Sequence, residues 1–420
     1  MEKITAIRGF KDILPEDARR FREIETIARQ IFNSFGFQEI RTPIIEKAEL
    51  FRRSIGETTD IVEKEMYTFP DRDSELLTLR PEATASIIRA YIEHNMFAAE
   101  QITKLFLIGP MFRRERPQKG RFRQFNQIDV ELFGEDSPQS DAEIIFMLMH
   151  FLTSVGLKNL LLEINSLGCP ACRPSFSKAV IAFLKGSEKN LCTDCQRRIH
   201  TNPLRAFDCK VEACASIIAG APKIIDFLCP DCESHFSKVK TLLEDLHIPF
   251  DINTRMVRGL DYYTKTAFEV KSNSLGAQNA VAGGGRYNGL VSSLGGPEVA
   301  GIGFGIGFER LIDCLPQESS NKLRTDLFVA ALGAQAQKLA FGLVNELRRS
   351  GISAEMDYSD KSLKSQLKRA DKLNSSFALI LGDKEIEEKH VLLRNMNTKE
   401  QQIIPLDSLQ NTIINSIKER

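Results

Sequence analysis

The chain has 420 residues, too many for one hydrophobic core, and this length predicts roughly two to four domains. Apolar residues make up 42% of it and charged residues 27%, a balance typical of a globular protein and not of a disordered or fibrous one. Lysine plus arginine equals aspartate plus glutamate at 56 each, so no overall positive charge indicates a nucleic-acid partner, and any polyanion must be bound by a local patch.

The amino-terminal residues are charged and lack the apolar stretch of a signal peptide. No run of about 18 apolar residues follows anywhere in the chain. We therefore expect a soluble, cytoplasmic protein without a membrane partner.

The first predicted elements are a helix and a strand. Apolar side chains recur at helical spacing over residues 17–35, and Gly36 is a suitable end for that helix. Residues 37–45 are typical of a strand, which Pro43 interrupts. Because proline has no N–H to donate to a neighbouring strand, we expect this strand at a sheet edge or a subunit contact.

Two apolar strands are predicted over residues 103–112 and 122–134, and a strongly basic connection containing Pro117 and Gly120 joins them. Arginine carries a planar fork of donors that matches phosphate oxygens and also stacks on flat rings. Glu115, a carboxylate inside the basic cluster, suits a metal ion or the amino group of adenine. These features predict an enzyme site for a nucleoside triphosphate, against the alternative of a solvated charged loop. The basic side chains are those of Arg113, Arg114, Arg116, Lys119, Arg121 and Arg123.

The second of these strands carries Gln127, Asp129 and Glu131 at a period of two, which places three polar groups on one face. A polar strand face beside a basic loop is better suited to a pocket floor than to a solvated surface. Farther along, the spacing of apolar residues predicts a helix over 141–155 and a strand over 161–166.

Two further motifs carry polar groups with two interpretations each. Glu82 and Thr84, in the run Leu-Arg-Pro-Glu-Ala-Thr, either bind an ammonium group or cap a helix. Arg258, Tyr262 and Tyr263 cluster before an apolar strand, where the tyrosines either line a site or are buried with their hydroxyls satisfied.

Glycines form two further motifs. Three consecutive glycines at 283–285 allow the backbone to approach a ligand closely, or form a flexible turn. Glycine recurs at every second residue over 301–307, which leaves one strand face bare and the other apolar. A bare face suits a flat group such as a purine, and Arg310 follows at a predicted helix start, where it is expected to stack on a ring or reach a phosphate.

Eight of the nine cysteines lie in residues 169–232, a stretch of short helical patches and polar breaks that is typical of an insertion. A helix predicted over 233–246 leads out of it. Without a secretion signal, metal binding or free thiols are favoured over disulfides. Two C-x2-C pairs separated by 19 residues predict a structural zinc site, and the alternatives are pairing across the two sets, participation of His200, and thiols without metal. The first predicted ligand set is Cys169, Cys172, Cys192 and Cys195, and the second is Cys209, Cys214, Cys229 and Cys232.

After a polar linker at 316–322, strands and helices alternate along the tail of the chain. This alternation predicts a separate α/β domain. The predicted elements are a strand over 326–332, a helix over 335–350, a strand over 352–356, a helix over 361–373 and a strand over 377–381.

Taken in chain order, these segments resemble those of the histidyl-tRNA synthetase family of class II aminoacyl-tRNA synthetases. The strand with the proline is similar to motif 1, residues 112–131 to motif 2, and residues 301–310 to motif 3. Arg-Gly-Leu-Asp-Tyr-Tyr at 258–263 and Gly-Gly-Arg-Tyr-Asn-Gly at 284–289 resemble the segments that mark the histidine-specific members. Asn288 departs from the aspartate that is usual in the family.

The resemblance implies an α+β fold: a class II antiparallel sheet of six or seven strands flanked by helices, a helical Cys-rich insertion, and a C-terminal α/β anticodon-binding domain. The implied catalytic core comprises residues 1–168 and 249–320, the insertion residues 169–248, and the anticodon-binding domain residues 325–420. The implied reaction is the activation of L-histidine by ATP with magnesium, followed by transfer of the histidyl group to the 3′ end of tRNA(His). The implied assembly is a homodimer.

The resemblance also implies roles for individual residues. The catalytic residues are Arg113, Arg258 and Arg310. The ATP-binding residues are Arg113, Glu115, Arg121, Arg258 and Arg310, with Arg121 also reaching the histidine pocket. The histidine-binding residues are Glu82, Thr84, Arg113, Gln127, Glu131, Arg258, Tyr262, Tyr263 and Tyr287. The tRNA acceptor end is expected at Arg116 and Gln118.

The main alternative is the regulatory subunit of ATP phosphoribosyltransferase, a paralogue that binds histidine without charging tRNA. That paralogue generally lacks the C-terminal domain and has degenerate ATP motifs. The presence here of the tail and of the arginines of the ATP motifs favours the ligase. A synthetase for proline, threonine or glycine is the second alternative, and the 258–263 segment is against it.

Overall fold

The computed structural model describes residues 3–57, 59–117, 120–209, 211–257, 260–272, 280–316 and 324–418. The chain forms two compact units, Met1–Pro316 and Gln317–Arg420. Within the described ranges, no helix combines the length and the apolar character needed to cross a bilayer.

The first unit contains helices and strands in alternating groups. Its helices are α1 (Pro15–Ser34), α2 (Ala48–Ile55), α3 (Thr84–Glu93), α4 (Met96–Ala99), α5 (Pro138–Ser154), α6 (Arg173–Gly186), α7 (Thr193–Thr201), α8 (Glu212–Ile218), α9 (Pro230–Asp245), α10 (Leu290–Ser293) and α11 (Phe308–Cys314). Its strands are β1 (Gln38–Glu39), β2 (Ile45–Lys47), β3 (Tyr67–Pro70), β4 (Leu76–Leu79), β5 (Thr103–Phe112), β6 (Gln124–Phe133), β7 (Leu160–Ser166), β8 (Asp251–Ile252), β9 (Thr264–Ser272), β10 (Ala280–Arg286) and β11 (Gly301–Gly307). Short 3-10 helices lie at Glu188–Asn190, Pro203–Asp208 and Ile224–Phe227, and a π-helical turn lies at Ile61–Glu65.

In the described part of the chain, eight strands form the large sheet in the order β1-β5-β6-β11-β10-β9-β7-β8. The six central strands pair antiparallel, as expected from the resemblance. Their number agrees with the expected six or seven antiparallel strands, and a two-residue strand adds a parallel pair at each edge, β1 on β5 and β8 on β7. Strands this short carry no periodic pattern that a sequence could reveal.

The predicted strand over residues 37–45 is wrong as a single element. Its first part is β1, at the edge of the large sheet, which agrees with the expected edge position. Its last residue opens β2, which belongs to a separate three-stranded sheet in the order β2-β4-β3. Pro43 lies between the two, where no ladder needs its missing N–H.

Helix α1 follows from its local sequence. Pro15 occupies the first turn, where its missing N–H is no loss, and Glu16 and Asp17 suit the positive end of the helix dipole. After the helix, Gly36 has φ +84°, and the N–H of Phe37 bonds back to the Phe32 carbonyl at 3.0 Å.

The main core lies between one face of the large sheet and helices α1, α5 and α9. Phe32 of α1 contacts the rings of Phe106, Phe151 and Phe304, at centroid distances of 5.3, 5.4 and 6.2 Å. Alternation along β6 then directs Ile128, Val130 and Leu132 into this core and the intervening polar residues to the other face.

The Cys-rich stretch has a small core of its own in α6, α7 and α8, which includes Phe176, Val180, Leu184 and Ile199. Helix α9, predicted as part of the same insertion, instead buries Phe236 in the main core. The insertion boundaries at 169–248 therefore stay a prediction, as do those of the other three domains.

The second unit is an α/β structure with a sheet in the order β13-β12-β14-β15-β16. Strand β12 runs parallel to β13 and β14, and the last two pairings are antiparallel. The five predicted elements up to residue 381 are all present. The strands are β12 (Leu327–Leu332), β13 (Ala354–Met356), β14 (Phe377–Gly382), β15 (His390–Asn395) and β16 (Gln401–Pro405), and the helices are α12 (Ala334–Arg349), α13 (Leu363–Lys372), α14 (Asp383–Glu387) and α15 (Leu409–Lys418).

Candidate active site

A cavity of about 800 Å³ lies over the sheet face that is turned away from the main core. Gln127, Asp129 and Glu131 of β6 line it together, as their period of two predicts. Asp129 and Glu131 are 3% and 1% exposed, so two carboxyl groups lie on the floor away from water.

Glu131 is held by two hydroxyl groups. The Thr84 hydroxyl donates to one carboxylate oxygen at 2.6 Å, and the Tyr287 hydroxyl donates to the other. Burial raises the pKa of Glu131 to about 8, although both hydrogen bonds act in the opposite direction. The structure thus brings together three residues predicted to bind histidine.

Glu82 fits both interpretations of its motif. Its carboxylate accepts the backbone N–H groups of Thr84 at 2.8 Å and Ala85 at 3.0 Å, at the start of α3, which is a capping contact. The same side chain lines the cavity and is 3% exposed. Burial removes this carboxyl group from water and thereby raises its pKa, so Glu82 is a third poorly solvated carboxyl group at this end of the cavity.

Two polar atoms of the floor have no hydrogen-bond partner within the described parts of the chain: Oε1 of Gln127 and Oδ2 of Asp129. Burial raises the pKa of Asp129 well above its usual value, and the nearby charges of Glu131 and Glu82 raise it further. Asp129 was predicted on this strand face but not among the histidine-binding residues. Its position between Gln127 and Glu131 on the same strand face is the sequence signal from which a histidine-binding role could have been predicted.

Three tyrosines line the cavity beside these carboxyl groups. The rings of Tyr262 and Tyr263 lie 4.7 Å apart, and that of Tyr262 lies 5.8 Å from Tyr287 in an edge-to-face arrangement. Burial raises the pKa of both Tyr262 and Tyr287 well above the usual value, so their hydroxyls keep their protons as donors.

The glycines of β11 make room for this floor. A Cβ at Gly303 would overlap the Glu131 carboxylate, and one at Gly305 would lie 2.8 Å from Gln127 Nε2 and 2.9 Å from Asp129 Oδ1. The bare strand face was predicted to fit a purine, but here polar side chains of β6 occupy it at Gly303 and Gly305. The other two glycines do not face these side chains, since a Cβ at Gly301 would overlap the Tyr287 ring and one at Gly307 would lie 3.6 Å from Arg310.

Arginines line the other end of the cavity. Arg113 donates to the Pro81 carbonyl at 2.8 Å and stacks over Phe125 at 5.3 Å, and Arg310 donates to the Ala280 carbonyl at 3.0 Å. Burial lowers the pKa of Arg310, and the like charge of Arg121 lowers it further. The guanidinium groups at this end suit an anion.

Glu115 lies among these arginines, as its position in the sequence predicts. It forms an ion pair with Arg121 at 3.0 Å. Arg116 is exposed and lies outside the cavity lining. The predicted residues Arg258 and Gln118 lie outside the described residues.

The cysteines do not gather as first predicted. The set Cys169, Cys172, Cys192 and Cys195 is wrong as one group, because the thiols instead gather across the two predicted sets, and zinc at them stays a prediction. Cys169 and Cys172 meet Cys229 and Cys232, while Cys192 and Cys195 meet Cys209 and Cys214. Cys169 follows β7 and Cys229 precedes α9, and their sulfur atoms lie 3.8 Å apart. His200 is in neither group, and its ring instead faces Glu188 at 3.6 Å.

Comparison with known proteins identifies this arrangement. The sequence model of the histidyl-tRNA synthetase family matches residues 9–170 and 207–311. The chain belongs to the histidyl-tRNA synthetase family. The model of the anticodon-binding domain matches residues 326–416, so the second unit corresponds to that domain.

Curated relatives in this family match the chain along nearly its whole length. A histidine–tRNA ligase of Desulfosudis oleivorans is 55% identical over 99% of this chain and 98% of its own. One of Geobacter metallireducens is 52% identical over 96% of this chain and 98% of its own.

Solved structures agree with the histidyl-tRNA synthetase fold. The apo S. aureus histidyl-tRNA synthetase superposes with a TM-score of 0.83 at 39% identity, covering 98% of this chain and all of the other. A Bacillus halodurans structure described as an ATP phosphoribosyltransferase regulatory subunit/histidyl-tRNA synthetase has a TM-score of 0.66 at 20% identity, covering 91% and 99% of the two chains, and shares the fold. The α+β class II fold is therefore confirmed.

Asn288, the departure from the histidyl-tRNA synthetase family pattern, uses both ends of its amide. Its nitrogen donates to Asp136 at 2.8 Å, and its oxygen accepts from the backbone N–H of Gly301 at 3.2 Å. An aspartate here would face the carboxylate of Asp136, so the asparagine suits its surroundings.

Proposed function

We propose that this chain is a histidine–tRNA ligase that first joins L-histidine to the adenylyl group of ATP. In that step a carboxylate oxygen of histidine attacks the α-phosphorus of ATP, and pyrophosphate leaves to give histidyl-adenylate. The 3′-terminal hydroxyl of tRNA(His) then attacks the adenylate carbonyl and releases AMP. One observation carries the proposal: a single cavity has carboxyl groups and tyrosines at one end and arginines at the other.

The acidic end suits the histidine substrate. Glu82, Asp129 and Glu131 all have raised pKa values because of burial, and a bound ammonium group would supply the missing positive charge. The imidazole ring has one donor and one acceptor nitrogen, which the tyrosine hydroxyls and the unpartnered Gln127 oxygen can satisfy. A pocket built on such hydrogen bonds discriminates strongly against amino acids that lack them.

The basic end suits the triphosphate of ATP. Arg113 and Arg310 each donate a hydrogen bond to a backbone carbonyl, which positions their guanidinium groups at the cavity, where they are proposed to hold phosphate oxygens. Arg258 is proposed to hold the α-phosphate from the other side. Glu115 is proposed to contact the adenine amino group or magnesium, and the metal would neutralise charge on the phosphates. Arg121 is proposed to contact ATP and to reach the histidine pocket. Positioning and charge neutralisation account for most of such catalysis.

The transfer step requires tRNA. The anticodon-binding domain of the second unit supports tRNA(His) as the partner, and Arg116 and Gln118 are proposed at the acceptor end. A homodimer is supported by the small sheet, whose Ile45, Phe69 and Leu76 are 47%, 39% and 42% exposed. The cytoplasm is the proposed location.

The test is ATP–pyrophosphate exchange with each of the twenty amino acids in turn. Histidine alone should support exchange, and tRNA(His) should then accept it. Asp129→Asn should lower histidine-dependent exchange at least about tenfold through KM for histidine, because a charged contact is lost. Asp245→Asn, a matched change at an exposed position on α9, should leave it unchanged. Histidine binding without exchange would instead favour a regulatory paralogue.

A further inference from the structure

Eight cysteines of the first unit gather in two groups of four. In each group, all four sulfur atoms lie within 4.8 Å of one another. We call the group of Cys169, Cys172, Cys229 and Cys232 the first cysteine group and the group of Cys192, Cys195, Cys209 and Cys214 the second cysteine group.

The sulfur distances match a tetrahedral metal site. Sγ of Cys169 lies 3.6 Å from that of Cys172 and 3.8 Å from that of Cys229, and Sγ of Cys192 lies 3.8 Å from that of Cys209. Zinc bonds thiolate sulfur at about 2.3 Å, so a tetrahedron of four sulfurs has edges of roughly 3.8 Å. A disulfide would need about 2.05 Å, and all eight cysteines are free.

Backbone N–H groups support the sulfurs, as is usual around metal-bound thiolates. In the first group, the N–H of Cys229 donates to Sγ of Cys172 at 3.1 Å. In the second, the N–H of Cys192 donates to Sγ of Cys214 at 3.2 Å. Four soft ligands around one small centre select a single zinc ion over hard cations such as magnesium.

Close to each cysteine group in the sequence, an arginine contacts residues Asp261–Tyr263, the segment that carries two tyrosines of the cavity. Arg173, which follows Cys172 directly, donates to the backbone carbonyl of Tyr263. Arg205, between Cys195 and Cys209 in sequence, forms an ion pair with Asp261 at 2.7 Å. Asn202 adds a bond to the same carboxylate at 3.2 Å.

We propose that the two cysteine groups each bind one structural zinc ion, and that the two sites position Asp261–Tyr263 through Arg173 and Arg205. The second part rests on the proposed function, because it assigns that segment to the histidine pocket. The first group joins the end of β7 to the start of α9, and the second joins the start of α7 to α8. The local apolar core of these helices is small, so a metal would add stability that packing alone does not supply.

Metal analysis of the purified full-length protein tests the first part without any activity measurement. We expect two zinc ions per chain and eight thiols that react only when zinc is released. Cobalt substitution should give the visible spectrum of tetrahedral cobalt with four thiolates. A zinc content of zero or one per chain would overturn the proposal, and so would iron with acid-labile sulfide.

Single variants test the division into two groups. Cys232→Ser and Cys214→Ser should each reduce the zinc content from two ions to one. Cys314→Ser is the matched control, because Cys314 is also buried but belongs to neither group. A variant of either group that keeps both ions would contradict the assignment of that cysteine.

The positioning role is tested with zinc in place. Arg205→Gln should keep two zinc ions and raise KM for histidine about tenfold, with KM for ATP unchanged, because Asp261 loses a charged partner. Arg205→Lys should recover part of this loss, since lysine can still pair with the carboxylate. Equal effects on the KM for histidine and the KM for ATP would refute the role of Arg205 in positioning Asp261–Tyr263. A wild-type protein with two zinc ions but no histidine-dependent exchange would refute the proposed function and the positioning role that rests on it, but not the two zinc sites.

Discussion

Raising the pH from 7 to 8 should strengthen the binding of histidine to the ligand-free protein, because it ionises Glu131. This carboxyl group is 1% exposed, and burial raises its pKa to about 8. It therefore holds a proton at neutral pH while the pocket is empty. The ammonium group of histidine prefers the ionised carboxylate, so binding must release that proton.

The size of the effect follows from the pKa. With a value of about 8, roughly one chain in eleven has an ionised Glu131 at pH 7, and about half have it at pH 8. Since apparent affinity scales with the fraction in the competent form, the dissociation constant for histidine should fall about five-fold over this interval. At pH 7, about 0.9 proton should leave per histidine bound.

Titration calorimetry in two buffers of different ionisation enthalpy measures this proton release. Glu131→Gln should bind histidine more weakly. It should also lose the part of the proton release, and of the pH dependence of binding, that comes from Glu131, which we call the Glu131 share. Comparing the two proteins cancels the titration of histidine itself. Asp129→Asn should retain the Glu131 share. Identical proton release in wild type and Glu131→Gln would refute the reasoning.

Three further predictions concern stability. Because the folded-state pKa of Glu131 lies above its unfolded value of about 4.5, this group should contribute a loss of about 1 kcal/mol per pH unit to the stability of the ligand-free protein as the pH rises from about 4.5 to 8, and Glu131→Gln should remove that contribution in denaturant unfolding. Gly303→Ala should destabilise by about 1–3 kcal/mol in thermal unfolding, because its Cβ overlaps Glu131. Gly342→Ala, in a helix with open space around it, should be neutral or stabilising, and equal effects of the two changes would contradict this. Arg286→Met should cost about 3–5 kcal/mol, because it removes the guanidinium that pairs with one oxygen of buried Asp141, whose other oxygen faces the His235 ring at 2.8 Å, and an unchanged denaturation midpoint would disprove that.

Elements with a strong local pattern could be predicted from the sequence. The strand predicted over 103–112 is β5 to the residue, since its apolar run has a clear end at each side. Strands β15 and β16 were missed. In β16 only Ile404 is buried, and Gln401 and Gln402 are exposed, so its position depends on pairing with β15 and not on its own pattern.

The candidate site shows the same limit. A period of two was enough to place Gln127, Asp129 and Glu131 on one face, because alternation is a local property of a strand. The partners of the cysteines could not be chosen that way. In the first cysteine group, Cys172 and Cys229 are 57 positions apart in the sequence, and Cys169 and Cys229 are 60 positions apart. Spacing along the chain therefore predicts the wrong set.

Glu131, Tyr287 and Arg286 show how the two faces of the large sheet depend on each other. Arg286 ends β10 on the core side, where it is fully buried and pairs with Asp141 of α5 at 2.6 Å. Tyr287, the next residue, reaches the cavity side and donates to Glu131. An ion pair in the core thus fixes the chain that carries a pocket hydroxyl. Because breaking a buried ion pair is costly, Tyr287 is held in place before any ligand binds. Its position therefore does not depend on the exposed loops of the site.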